Sequence, residues 1–196
     1  MAKSPKSGGW NKGKAVGRKR PFTIEQVQLI RGLLRSRDDT RELALFETGL
    51  SAVLRASDLL QLTVHDVMSQ GEVLETLDVR QKKTGKSVRI SLSDDAREAL
   101  RAYVAASNMH QDERLWKIGR LRYAQIVKDW ATMVNADPRF YSTHSMRRTY
   151  PTYLHSQTGS HEFARQLLGH QDLSRTATYL GVEQDETHAV KKRFKM

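Results

Sequence analysis

The chain predicts an α+β fold, mostly helical, with a small antiparallel β-sheet or hairpin. Three observations carry that prediction. Apolar residues recur at helical spacing, as in Val27, Ile30, Leu33 and Leu34. Between Val73 and Leu92 the period changes to two: Val73, Leu77 and Val79 alternate with other residues, as do Val88, Ile90 and Leu92. The 196 residues, 38% of them hydrophobic, suffice for one domain with a core, or one domain and a tail.

The elements follow in order. Residues 1–20 hold Lys3, Lys6, Lys12, Lys14, Arg18, Lys19 and Arg20 with no acidic residue and several Gly and Ser. Such a stretch buries too little to order its backbone and reads as a disordered basic arm. The folded domain is expected over 21–196. Thr23 and Gln26 form a capping box for a first helix, and Phe22 is placed to staple onto Val27. A second helix is expected over 41–48, ended by Gly49, and a short one over 57–62 behind Arg55. The two alternating stretches make a β-hairpin, with room for a third short strand. Its basic tip is Lys82-Lys83-Thr84-Gly85-Lys86. Ser93 caps a helix reaching about residue 106, with Asp94 and Asp95 at its positive end. Another helix covers 120–135, with Ile126, Trp130 and Val134 on one face, and Pro138 closes it. From Thr143 onward, helices are expected over 144–157, 161–168 and 174–180, then a last segment over 183–194. Gly159 and Gly169 sit at expected helix ends. Tyr150 and Tyr153 read as half-buried packing residues.

Charge narrows the function. A formal net charge of +11 points to a polyanionic partner, nucleic acid before an anionic membrane surface. With no cysteine, disulfides, thiolate nucleophiles and cysteine-based zinc sites are excluded. His65, His110, His155, His161 and His188 show no metal-ligand spacing with carboxylates, so no metal is expected. No apolar run approaches the ~18 residues of a membrane span and no signal-peptide core is present. The expected location is the cytoplasm, in association with the nucleoid.

Six residues stand out in chain order: Arg55, Lys83, His144, Arg147, His170 and Tyr179. An arginine can fork two hydrogen bonds onto a phosphate, a histidine can move protons near neutral pH, and an activated tyrosine can act as a covalent nucleophile. Singly, each has an ordinary structural explanation. The pattern is carried by Arg55-Ala56-Ser57-Asp58-Leu59-Leu60-Gln61-Leu62, then Lys83-Thr84-Gly85-Lys86 and His144-Ser145-Met146-Arg147. It ends with Leu167-Leu168-Gly169-His170 and a tyrosine nine residues on, Tyr179. In this order the motifs resemble the tyrosine recombinases, or phage integrases, over residues 22–182.

That resemblance implies a tyrosine-recombinase catalytic domain, in a short form lacking the N-terminal core-binding domain. It implies that Tyr179 attacks a DNA phosphodiester to give a 3′-phosphotyrosine, with His144 as general base or acid. Arg55 and Arg147 would clamp the phosphate, His170 would add a hydrogen bond, and Lys83 would protonate the leaving 5′-oxygen. Asp58 would support Arg55, and no metal or other cofactor is implied. The expected DNA contacts are Lys12, Lys14, Arg18, Lys19, Arg20, Lys82, Lys86, Arg148 and Arg175. The expected partners are double-stranded DNA, further copies of the chain as a dimer or tetramer, and an accessory DNA-bending protein. Residues 183–196, with Ala189, Val190 and Phe194, would dock on a neighbouring protomer or on their own domain. One departure from the family stands out: Ser51-Ala52-Val53-Leu54 separates Gly49-Leu50 from Arg55, where many members run Gly-Leu-Arg. The expected activity is site-specific recombination by integration, excision or inversion. Two alternatives are a non-catalytic helix-turn-helix-like regulator using Arg175, Thr176 and Thr178, and a type IB topoisomerase-like relaxing enzyme.

Overall fold

The computed structural model describes residues 19–168. Helix α1 (Ile24–Ser36) opens on the expected capping box, with the Thr23 hydroxyl accepting the Gln26 N–H and the Gln26 side chain accepting the Thr23 N–H. Its stripe of Val27, Ile30 and Leu34 is buried. Phe22 stacks on Tyr141 with ring centroids 4.6 Å apart, fixing the start of the fold against the segment that leads into a later helix, Thr143–Thr158.

Helix α2 (Thr40–Ser51) is the central element. Its residues from Ala44 to Leu50 are all buried, because it packs against α1 and against the later helices Asp94–Ser107 and Thr143–Thr158. It also corrects an expectation. The helix does not stop at Gly49 but continues to Ser51, with Ala52 as its C-cap. Gly49 serves close approach instead. A Cβ there would lie 2.9 Å from the Tyr123 hydroxyl and 3.4 Å from Met146 Cε. The turn away from α2 is made by Val53, at φ 51°. A β-branched residue in that region is strained, by about 1–3 kcal/mol. Val53 is also buried, so packing holds it there. This turn occupies the extra residues between Gly49 and Arg55 and delivers Arg55 as the N-cap of α3 (Ala56–Leu59).

The one-turn α4 (Val64–Val67), with its own capping box of Thr63 and Asp66, was not legible from periodicity. The β-region is two separate two-stranded antiparallel sheets rather than one hairpin with a third strand. Strand β1 (Met68–Ser69) pairs with β2 (Glu72–Val73), and β3 (Thr76–Arg80) pairs with β4 (Ser87–Ser91). Val73 is buried as expected, but its strand turns back on β1 across Gln70 and Gly71, both at positive φ. In β3, Leu77 and Val79 face the core, and the basic turn projects beyond Arg80 and Ser87.

Helix α5 (Asp94–Ser107) is capped by Ser93, and α6 (Arg120–Met133) starts where predicted and ends two residues short of it. Pro138 opens a single 3-10 turn, Pro138–Phe140, that feeds α7 (Thr143–Thr158). Gly159 ends α7 at φ 64°, as expected for a left-handed cap, and α8 (His161–Leu168) follows with the predicted bounds. The core centres on Phe46, Tyr123 and Trp130, with Phe46 edge-on to Trp130 at 5.0 Å. The expected segments 174–180 and 183–194, and Gly169, lie outside the described residues.

Candidate active site

Helices packed around one point bring the site together. Gly49 of α2, Leu59 of α3, Tyr123 of α6 and Met146 of α7 meet there. Leu59 follows Asp58, and Met146 precedes Arg147. The close approach that needs a glycine therefore lies directly beneath the motif residues. This convergence brings together α2, α3, α6 and α7, elements far apart in the sequence.

Arg55 sits at the start of α3 with its side chain 26% exposed. Its Nη1 donates to Gln81 Oε1 at 2.9 Å and stands 4.0 Å from Asp58 Oδ2. Asp58 is buried, and its Oδ1 accepts the backbone N–H of Lys82 at 3.0 Å. The carboxylate thus stands near Arg55 without a hydrogen bond to it, and ties α3 to the basic turn. In that turn Gly85 is at φ 67°, and Lys82, Lys83 and Lys86 are exposed.

Helix α7 supplies His144 and Arg147 one turn apart. Ser142 caps it by accepting the His144 N–H. Pro151 lies within the helix, so no N–H is available four residues on for the Arg147 carbonyl. Arg147 is buried to 7% exposure, and its Nη2 donates to the Leu168 carbonyl at 2.7 Å. That carbonyl belongs to the last described residue of α8. His144 lies on the exposed side of the first turn. Its pKa is lowered, first by the protein against its ring and then by Arg147, Arg120, Arg148 and Arg55. Arg120 was not anticipated: it begins α6 and no motif marked it.

Arg148, expected among the DNA contacts, is buried and donates to the Lys19 carbonyl at 2.5 Å. Lys19 donates from Nζ to the Arg139 carbonyl, and Arg20 lies over the Phe140 ring at 4.4 Å. The root of the basic arm is therefore fastened to α7 one residue beyond Arg147. Lys12, Lys14, Arg18, His170, Arg175 and Tyr179 lie outside the described residues. Tyr150 and Tyr153, expected as half-buried packing, are 42% and 40% exposed. They line an open groove of about 680 Å³ with Phe22, Val27, Leu50 and Leu167. Among the described residues, no cluster of His, Asp or Glu is arranged to hold a metal, and no helix is long and apolar enough to cross a membrane.

The family model described as "Phage integrase family" matches residues 21–186. The chain belongs to the phage integrase family. It is 26% identical over 179 residues to a probable integrase/recombinase, YoeC of Bacillus subtilis (strain 168), covering 88% of this chain and 94% of that one. It is 29% identical to the tyrosine recombinase XerC of Erythrobacter litoralis, over 73% of this chain and 47% of that one. The chain thus spans nearly all of YoeC and about half the length of the XerC relatives it matches. The XerA recombinase crystal structure superposes with a TM-score of 0.71 at 18% identity, over 92% of this chain and 67% of that one. XerH recombinase bound to its difH substrate superposes at 0.65 and 13% identity, over 91% and 56%. The fold is that of a phage integrase catalytic domain. Relatives and neighbours alike are integrases or recombinases, which supports neither the regulator nor the relaxing topoisomerase.

Proposed function

We propose that this chain is a site-specific DNA recombinase that cuts and rejoins duplex DNA through Tyr179. The observation that carries it is the meeting of Arg55, its partner Asp58, the Lys82–Lys86 turn and the His144/Arg147 helix at one site, in a family of DNA breakage-and-rejoining enzymes.

In the cleavage step the Tyr179 oxygen bonds to phosphorus, and the phenolic proton passes to neutral His144. Negative charge growing on the two non-bridging oxygens is met by Arg55 and Arg147, fixed in place before the reaction. His170 donates a further hydrogen bond. The bond from phosphorus to the 5′-oxygen breaks, and Lys83 gives that oxygen its proton. The 3′-phosphotyrosine conserves the bond energy, and a 5′-hydroxyl attacking in reverse rejoins the strand. The Arg147 guanidinium is braced by the carbonyl of Leu168, two residues before His170 in the sequence.

Duplex DNA is the proposed partner, on the net charge of +11 and the phosphate chemistry above. Lys12, Lys14, Arg18, Lys19, Arg20, Lys82, Lys86 and Arg175 are proposed to contact its backbone, while we assign Arg148 to holding the arm. The enzyme is proposed to act as a dimer or tetramer. Residues 183–196 would dock on a neighbouring protomer, and the groove beside Tyr150 and Tyr153 offers an apolar seat for Val190 and Phe194. An accessory DNA-bending protein is proposed to help bring sites together in a nucleoid-associated, cytoplasmic reaction.

The test is covalent capture. A nicked duplex from the DNA flanking the gene should become attached to the unaltered chain, and Tyr179→Phe should abolish attachment. An adduct that persists in the Phe variant would remove Tyr179 as nucleophile.

A further inference from the structure

Gln81 is 8% exposed at the end of β3, and its hydrogen bonds join the arginine clamp to the lysine turn. Its Oε1 accepts Arg55 Nη1 at 2.9 Å and the Thr84 hydroxyl at 2.8 Å. Its backbone N–H donates to the Lys86 carbonyl at 2.9 Å, and its carbonyl accepts the Gly85 N–H at 2.8 Å. Arginine has only donors, so the atom facing it is the amide oxygen, and the orientation of the side chain is settled. The second bridge, from Asp58 Oδ1 to the Lys82 N–H, runs in parallel. Arg55 and the turn carrying Lys83 therefore form one hydrogen-bonded unit, and Gln81 is at its centre.

The residue type matters. A neutral acceptor can hold a guanidinium in one orientation and leave its full charge for a phosphate. A carboxylate at the same 2.9 Å would compete with that phosphate. Resting on the recombinase reading above, we propose that Gln81 is a positioning residue for the cleavage step. It aligns Arg55 on the non-bridging oxygens and Lys83 on the leaving 5′-oxygen together, so that the clamp and the acid are set by a single side chain.

Two altered phosphates separate those effects in single-turnover cleavage of the nicked duplex. A bridging 5′-sulfur leaves as a thiolate and needs no proton, so it relieves any loss that acts through Lys83. A methylphosphonate has lost one anionic oxygen, so it relieves loss that acts through Arg55. Gln81→Met keeps the length of the side chain and removes the acceptor. It should slow cleavage by about 10- to 100-fold, with DNA affinity within about twofold of the unaltered chain. Each altered phosphate should recover part of that loss. Lys83→Ala should be recovered by sulfur alone, and Arg55→Ala by methylphosphonate alone. Gln81→Glu retains the acceptor for Thr84 while neutralising Arg55, so its loss should be recovered by methylphosphonate and not by sulfur. This second variant keeps the test decisive if Gln81→Met folds poorly.

A Gln81→Met chain that cleaves at the unaltered rate would overturn the proposal. So would recovery of Gln81→Met by only one altered phosphate, which would confine Gln81 to one partner, or by neither, which would make it structural; for Gln81→Glu, recovery by sulfur or by neither would overturn it. Failure of the recombinase reading looks different: the unaltered chain would then form no adduct at all, and this inference would fall with it.

Discussion

His144 stands among Arg147, Arg120, Arg148 and Arg55, and each of them disfavours the imidazolium form. Partial burial acts first and these cations after it, so the ring is held below its ordinary pKa of about 6.5. At neutral pH it is then predominantly neutral, the state its proposed role as acceptor of the Tyr179 proton requires. Cleavage rate should rise with pH along an acid limb that lies below the usual histidine range. Arg120→Ala removes one cation, lets the pKa climb and should move that limb to higher pH; a limb that stays in place would separate Arg120 from His144. Asp58 offers a stability test. Asp58→Ala leaves the Lys82 N–H without its acceptor, which should cost about 1–3 kcal/mol in urea unfolding. Arg55, Asp58, His144 and Arg147 were legible in the sequence because uncommon chemistry recurs there at fixed spacing. Gln81 was not: an amide at the end of a strand announces nothing, and its partner Arg55 lies 26 residues earlier.

At the scale of elements, caps and periods made most helices readable. Thr23, Ser93 and Gly159 mark real termini because each satisfies backbone groups that a helix end leaves open. The exceptions have physical causes. Helix α4 and strands β1 and β2 span four residues or fewer, too few to show any period. Gly49 was read as a terminator because left-handed backbone is the commonest use of glycine, whereas here the missing side chain is what matters. That distinction predicts a reversal of sign. In an exposed helix interior, Gly→Ala gains about 1 kcal/mol. Here the new methyl meets a Tyr123 hydroxyl that cannot swing away, its ring being packed on Trp130. Gly49→Ala should therefore destabilise by about 1–3 kcal/mol, seen as a lower denaturation midpoint with an unchanged slope. An increase in the midpoint would mean that α6 yields more easily than its packing suggests.

For the whole molecule, the arm supplies charge and the domain supplies geometry. Removing residues 1–18 takes away Lys3, Lys6, Lys12, Lys14 and Arg18 but leaves the root held by Arg148. The slope of log affinity against log salt should fall by about 0.9 for each phosphate that the shortened chain no longer neutralises, while the cleavage rate at saturating DNA changes little. An unchanged slope would place the arm off the DNA. The domain's class was readable from one chain. The division of its strands into two sheets was not, since alternation fixes which face is buried but not which strand is the neighbour. Arg147, finally, grips the Leu168 carbonyl of α8 with the same guanidinium that is proposed to hold the phosphate. Two ligands sharing one cation are thermodynamically linked, so whatever the docked α8 adds to phosphate affinity, bound phosphate returns to the docking of α8 by the same factor. DNA should therefore slow amide exchange along 161–168 even where it touches none of those residues, making this short helix a reporter of an occupied site.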